Sequence, residues 1–385
     1  MTPSGSPALT FVFPCLNEER TLAHCIKAVR ASLDPSGVAY EIVIADNGST
    51  DRSCVIAEEL GCTVVPVAAR GYGAALKGGI EAARGTYVMF ADSDSTYLYE
   101  HAAPLYAEAV KHDAGMAIAS RMIGVIEPNA MPPLHRHLGT PVLTWLINRL
   151  FKGRLTDCNS GFRCIRKTDY LKWDIRSDGM EFASELLIKA LKARTRTVEI
   201  PSGLRCGPPD RVAHLRTWRD GMRHLLFILS EKPGLFEKIG LLTAATASVV
   251  QLAALLFGPT KIGPFNVFDL HSQALLLLGG ILGTQIYIFG CSLFLRSQDA
   301  PLPLTRRLIG LDEGSLFFLL LSVIIGCMGL GGGLTLAWAS SGFAGLQQSN
   351  NLLAAVHFLG VAATASIGLL SVHTLKKARS GSIPA

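Results

Sequence analysis

Ala91-Asp92-Ser93-Asp94-Ser95-Thr96 follows the short apolar run Thr86 to Phe90 and sets two carboxylates one residue apart at its end. Oxygen ligands at this spacing suit Mg²⁺ or Mn²⁺, which take hard carboxylates and fill their remaining positions with water and phosphate oxygens. The same residue types also begin turns and helices through local hydrogen bonds. The pair therefore takes its meaning from the chain around it.

Working outward, Leu9 to Phe13 reads as a short strand stopped by Pro14, after which Asn17 and Glu18 open a helical pattern with Leu22, Ile26 and Val29 on one face. Tyr40 to Ala45 is a second strand, and Asp46-Asn47-Gly48-Ser49-Thr50-Asp51 turns from it into a helix carrying Val55, Ile56 and Leu60. Thr63 to Val67 is a third strand. The Gly-rich turn Arg70-Gly71-Tyr72-Gly73 then leads to a helix through Leu76, Ile80 and Ala83, and Thr86 to Phe90 is the fourth strand. Strands alternating with helices predict an α/β fold with a parallel sheet between helices. Ligands of such sheets bind outside the carboxyl ends of the strands, which is where the four polar loops fall. Glu18 and Asp46 suit hydrogen bonds from a nucleobase or ribose, and Arg70 and Lys77 suit phosphate. The turn at Gly71 is not a P-loop, because GxxxxGK[ST] is absent.

Phe13-Pro14-Cys15-Leu16-Asn17-Glu18-Glu19, Ile44-Ala45-Asp46-Asn47-Gly48-Ser49-Thr50-Asp51, Arg70-Gly71-Tyr72-Gly73 and Asp92-Ser93-Asp94 stand in an order that resembles the motif series of family 2 glycosyltransferases of GT-A fold. The resemblance implies a mixed, mainly parallel Rossmann-like sheet and a nucleotide-diphosphate sugar donor. It places Pro14, Leu16, Glu18, Ile44 and Asp46 around base and ribose, Arg70 and Ser93 with the donor, and Asp92 and Asp94 at metal and diphosphate. Thr96 stands where many relatives have a metal-contacting Gln, and Leu16 where they often have Tyr; Thr96 still offers an oxygen as a third ligand.

Farther on, Met116 to Ala119 reads as a strand with Ser120-Arg121 at its exit, and Thr140-Pro141 begins an amphipathic helix. That helix is read either as core-facing or as lying on a bilayer near a lipid acceptor. Asp157-Cys158-Asn159-Ser160-Gly161-Phe162-Arg163 resembles a block of the polyisoprenyl-phosphate glycosyltransferases, the branch containing dolichol-phosphate mannose and glucose synthases, and Arg136 and Gly179 to Glu185 fit it too. A lipid phosphate is already ionised and needs cations instead of a general base. Arg121, Arg136, Arg163, Arg205, Arg211, His214 and Arg216 are the candidates, with Asp94, Arg121 and Arg136 expected nearest the chemistry, an inverting displacement at the anomeric carbon. Processive polysaccharide synthesis is disfavoured because no QxxRW motif is present.

Only 17% of the 385 residues are charged, and beyond about Pro233 long apolar runs dominate. The expected organisation is a transferase domain over 1–213, an amphipathic interfacial helix over 214–233 and a membrane domain over 234–385, with spans near 239–257, 274–295, 315–338 and 352–372. No signal-peptide pattern opens the sequence. Basic residues flank the first, third and last boundaries, so both termini are expected in the cytoplasm, with the protein in the cytoplasmic membrane. The spans lack Asp, Glu, Lys and Arg, which reads as an anchor and dimer platform, with Gly331 to Gly333 permitting close packing, and argues against a flippase. The remaining rivals are a family 2 transferase acting on another lipid-linked glycan acceptor and a non-catalytic nucleotide-binding scaffold. The nine cysteines contain no CxxC pair and read as reduced thiols. A net charge of +6 without a nucleic-acid-binding motif points to phosphates and lipid head groups, and no nucleic acid partner is expected.

Overall fold

The structure, a computed structural model, describes residues 6–207, 217–262, 265–297, 299–340, 342 and 349–380. The chain divides into two compact units, Met1–Leu229 and Ser230–Ala385.

In the first unit β1 (Leu9–Cys15), β2 (Tyr40–Asp46), β3 (Thr63–Pro66) and β4 (Tyr87–Phe90) alternate with α1 (Leu22–Leu33), α2 (Ser53–Glu59) and α3 (Tyr72–Ala82). After α4 (Ala102–Lys111) come β5 (Met116–Ile126), α5 (Thr140–Phe151), β6 (Arg163–Arg166), α6 (Lys167–Tyr170), α7 (Phe182–Lys192), β7 (Thr197–Leu204) and α8 (Thr217–Ser230). The seven strands form one sheet in the order β3-β2-β1-β4-β6-β5-β7. All neighbours run parallel except at β6, which is antiparallel to β4 and β5. This is the mixed, mainly parallel sheet of a GT-A fold.

Side chains alternate across the pleat, so successive residues of a strand enter different cores. Phe11 and Phe13 of β1 join Leu22, Ile26 and Val29 of α1 on one face. Val12 joins Leu76 and Ile80 of α3, and Phe182 and Leu186 of α7, on the other. Each such fully buried side chain contributes roughly 1.5–3 kcal/mol. α8 buries His224 and Ile228 and leaves Met222 and Leu226 exposed, and a hydrogen bond of 2.8 Å links His224 Nδ1 with the hydroxyl of Ser184 on α7.

Three strands differ from the sequence reading. β5 continues past Ala119 to Ile126, and its pairing with β7 slips between Ser120 and Val125. Arg121 therefore lies inside the strand, at the irregularity, instead of following it. β6 and β7 were not assigned from sequence. Two of the four β6 residues are arginine, and β7 holds Pro201, which is tolerated because β7 is an edge strand.

The second unit contains α9 (Pro233–Phe257), the short strands β8 (Thr260–Ile262) and β9 (Phe265–Val267), α10 (Leu270–Phe294), α11 (Pro303–Ile309), α12 (Glu313–Ser340) and α13 (Ser349–Ser380). Four of these helices are long and apolar enough to cross a membrane, Pro233–Phe257, Leu270–Phe294, Glu313–Ser340 and Asn351–Ala378. α9 begins earlier than expected and takes in Glu237, which is 2% exposed and accepts the N–H of Leu302 at 2.9 Å. The buried polar side chains pair across helices, Gln251 Nε2 donating to Gln273 Oε1 at 3.0 Å and Ser248 meeting His357 at 3.1 Å. Close backbone approach occurs at Gly240 and Gly283, where an added methyl would strike the neighbouring helix, while around Gly331 to Gly333 it would meet nothing within 4 Å.

Candidate active site

The loops that leave β1, β2, β3 and β4 at their carboxyl ends are joined to one another by side chains. Asp46 closes β2, is 8% exposed and accepts N–H donations from Gly48 at 3.1 Å and Ser49 at 3.0 Å. Burial alone would raise its carboxyl, but the donations from Ser49 and Gly48 outweigh it and hold the group below the usual carboxylate range. Gly48 takes a φ of +93° beneath the Arg70 guanidinium, which a side chain there would hit. Asn47 spans to the next loop: its amide donates to Val67 O at 3.2 Å and Ala69 O at 2.7 Å, and its oxygen accepts Gly71 N at 2.8 Å. Gly71, at φ +131°, lies under the Asp178 carbonyl and starts α3.

The β1 and β2 loops interlock similarly. Asn17 Oδ1 accepts Thr50 N at 2.8 Å, Ser49 Oγ accepts Asn17 N at 3.0 Å, and Ser53 Oγ accepts Glu18 N at 2.9 Å. Thr21 connects this pair to β4, its hydroxyl lying 2.7 Å from Ser93 O and 3.0 Å from Glu18 Oε2. Ser93 Oγ returns a bond to Pro14 O at 2.9 Å.

Beyond β4, Asp94 is 4% exposed and Thr96 is 9% exposed. Both the N–H and the hydroxyl of Thr96 donate to Asp94 Oδ1, at 3.0 and 2.6 Å. The Asp92 carboxylate lies against Gly161, where an added methyl would come within 3.3 Å of it, and burial together with the Asp92 charge holds the Tyr72 hydroxyl well above the usual phenol range. Tyr99 OH donates to the Asp92 carbonyl at 2.5 Å. The donor set of Asp92 and Asp94 is all oxygen and fits a Mg²⁺ or Mn²⁺ ion. Among the described residues no third Asp, Glu, His or Cys gathers with them. Thr96, expected as a third ligand, braces Asp94 with its hydroxyl proton.

Phe90 of β4, Arg163 of β6 and Ile118 of β5 form one row across the sheet, so the Asp92 loop leaves β4 at the level of the sheet where Arg121 lies within β5. Arg121 binds Asp157 in a fork, Nε to Oδ2 at 2.7 Å and Nη2 to Oδ1 at 2.9 Å, with its own N–H on Oδ2 at 3.1 Å. Burial works against both charges, and their mutual attraction prevails: Asp157 is held below the usual carboxylate range and Arg121 above the usual guanidinium range. Burial and the Arg121 charge hold His135 below the usual imidazole range. His135 and Arg136 lie on the π turn His135–Gly139 that enters α5, and Arg136 is exposed.

Three expected site residues sit elsewhere. Ile44 is fully buried in the core of the α1 face and has no surface for a base. Arg163 is 1% exposed and donates to the carbonyls of Ser160, Ala183 and Cys158, each at 2.8 Å, so it clamps backbone instead of phosphate. The Arg205 side chain pairs with Glu100 at 2.6 Å, beside a groove lined by Ala28, Ala31 and Ser32 of α1 and Pro104 of α4. Leu16 is exposed and Pro14 half-buried, at the carboxyl end of β1. Arg70 is exposed and donates to the Asn47 carbonyl at 2.5 Å. Lys77 pairs with Asp178. Arg211, His214 and Arg216 lie outside the described residues. Asn47, Thr21 and His135 were not singled out from sequence; only Asn47 had a signal, its place between Asp46 and Gly48.

The family description "Glycosyl transferase family 2" matches residues 10–172. The low-salt glycan biosynthesis hexosyltransferase Agl6 of Haloferax volcanii is 35% identical over 354 residues, 89% of this chain and 82% of that one. An undecaprenyl-phosphate 4-deoxy-4-formamido-L-arabinose transferase of Pseudomonas paraeruginosa is 39% identical over 101 residues, 24% of this chain and 30% of its own. Glucosyl-3-phosphoglycerate synthase of Mycobacterium tuberculosis, a solved structure, covers 58% of this chain and 77% of its own at 20% identity and a TM-score of 0.45. The chain belongs to glycosyltransferase family 2.

Proposed function

We propose that this glycosyltransferase moves a hexosyl group from a nucleotide-diphosphate sugar to a polyprenyl phosphate, giving a polyprenyl-phosphate sugar with inverted anomeric configuration. The observation that carries the reading is the sheet edge itself, where the Asp92 and Asp94 loop exits beside Arg121. Such an edge seats two phosphate-bearing substrates, one through a divalent cation and one through guanidinium groups. Transfer to an undecaprenyl phosphate is named for one relative and hexosyl transfer for another.

Asp92 and Asp94 would hold the Mg²⁺ or Mn²⁺, whose charge offsets that developing on the departing nucleoside diphosphate. Thr96 keeps Asp94 oriented. Glu18 and Asp46, with Pro14 and Leu16 at the rim, form the base and ribose end. Arg121 and the exposed Arg136 take the acceptor phosphate, reducing its repulsion from the donor diphosphate. No residue has to remove a proton from a phosphate already ionised at neutral pH.

A lipid acceptor also suits the surface beside Arg136. Leu134, Leu138, Val142 and Trp145 follow one another at helical spacing and are 40%, 55%, 46% and 64% exposed, while Leu143 and Ile147 fill the buried side. An exposed apolar stripe with Trp and flanking Arg136 and Arg149 fits the head-group layer of a bilayer. Together with the four apolar helices, it supports a catalytic unit working at the cytoplasmic face of the inner membrane.

The test is to incubate the purified full chain in lipid nanodiscs with undecaprenyl phosphate, Mn²⁺ or Mg²⁺, and UDP-glucose or GDP-mannose in turn. A charged-lipid sugar product supports the reading. Labelling of a glycan or protein acceptor, with no lipid-phosphate product from any donor, overturns it.

A further inference from the structure

We propose that Glu199, on the edge strand β7, is a positioning residue for Arg121. The inference rests on the reading of Arg121 as a partner of the acceptor phosphate. Glu199 pairs in register with Ile118 of β5, just before the β5–β7 pairing slips. Its carboxylate reaches the turn that carries Asp157: Oε1 and Oε2 accept Thr156 N at 3.0 and 2.9 Å, Oε2 accepts the Thr156 hydroxyl at 3.0 Å, and Oε1 lies 3.4 Å from Asp157 N. The Thr156 hydroxyl in turn lies 2.6 Å from the Ser120 hydroxyl, next to Arg121.

These contacts make a chain of fixed groups. Glu199 holds the Thr156–Asp157 backbone, Asp157 grips Arg121 through both oxygens, and the guanidinium plane follows the carboxylate plane. Asp157 has no exposed surface and β5 is irregular at Arg121, so the turn supplies the alignment that regular strand pairing elsewhere supplies. Glu199 itself bears on neither substrate. A second carboxylate next to Asp157 costs stability through repulsion, and burial together with the Asp157 charge raises the Glu199 carboxyl. Geometry offsets that cost: three donors on one turn meet an acceptor with two oxygens.

The test compares Glu199→Ala, Glu199→Gln and Arg121→Lys in the full chain, varying undecaprenyl phosphate and the nucleotide sugar separately and recording thermal unfolding. Displacing a phosphate-binding guanidinium by a fraction of an ångström changes its use about tenfold or more. Glu199→Ala should therefore raise the acceptor KM about tenfold, leave the donor KM within about twofold, and be only partly rescued by Glu199→Gln, which keeps the side-chain length and one acceptor oxygen but turns an amide N–H toward the remaining donors. An equal rise in both KM values with lowered thermal stability, or no change in either, overturns the inference. If Arg121→Lys leaves the acceptor KM unchanged, the reading of Arg121 fails. If Arg121→Lys raises it and Glu199→Ala does not, the Glu199 inference alone fails.

Discussion

The Arg121 guanidinium is held flat against the Asp157 carboxylate by bonds of 2.7 and 2.9 Å, and the carboxylate has no exposed surface. A buried pair of this kind is sensitive to the loss of one member, because the survivor keeps its desolvation penalty.

Asp157→Asn should accordingly destabilise the first unit by about 3–5 kcal/mol, read from denaturant unfolding of the full chain in detergent. The pH dependence has a defined sign. Asp157 is depressed in the folded state, so its contribution is complete above the unfolded-state value of about 4 and fades as pH falls through the lower folded value. Wild type should lose stability below about pH 4 more steeply than Asp157→Asn. Parallel curves would contradict the ion-pair account.

Thr96 offers a test of the acidic loop. Thr96→Val removes the 2.6 Å bond to Asp94 and should weaken Mn²⁺ binding in the presence of UDP about tenfold, while Thr96→Ser keeps it near wild type. Asp94→Asn should lower turnover by about a hundredfold or more. Manganese titrations that fail to separate Asp94→Asn from wild type would show that the loop holds no metal.

Arg163 should behave as structure. Arg163→Met strands three carbonyls that each receive a bond of 2.8 Å and is expected to cost about 3 kcal/mol or more. A variant that unfolds normally yet shows a raised acceptor KM would return Arg163 to the phosphate site.

The exposed stripe predicts a length-dependent effect. Trp145→Ser with Leu138→Ser should change stability by less than about 1 kcal/mol, since both side chains are exposed. Activity should fall with undecaprenyl phosphate in nanodiscs and stay level with a short, water-soluble polyprenyl phosphate. Equal losses on both acceptors would mean that the stripe does not meet lipid.

Thiol reactivity follows burial. Cys15 and Cys25 are pushed up to about 11 and about 12 by burial, whereas Cys206 is exposed. Iodoacetamide at pH 8 should label Cys206 well before either of the others, by peptide mass analysis.

The first four strands were legible because each apolar run ends at a polar loop, and those loops carried Glu18, Asp46, Arg70, Asp92 and Asp94. β6 was not, because Arg163 and Arg166 interrupt its apolar pattern; burying Arg163 requires carbonyls from Cys158, Ser160 and Ala183 that no local pattern announces. Nor was β7, where Pro201 and Gly203 read as loop. Arg121 was found, but its partner Asp157 was seen only as part of a motif, since their pairing spans 36 residues of separation. The long apolar helices were the plainest feature, because twenty or so apolar residues in a row leave few alternatives.

Pro201 has a consequence for crowding. Membrane anchoring confines copies of a chain to two dimensions and brings their open sheet edges together often. β7 is one of those edges, and in its interior Pro201 has no N–H to offer a strand approaching from another copy. A proline at that position leaves β7 one ladder donor short, which disfavours the pairing of a further strand there.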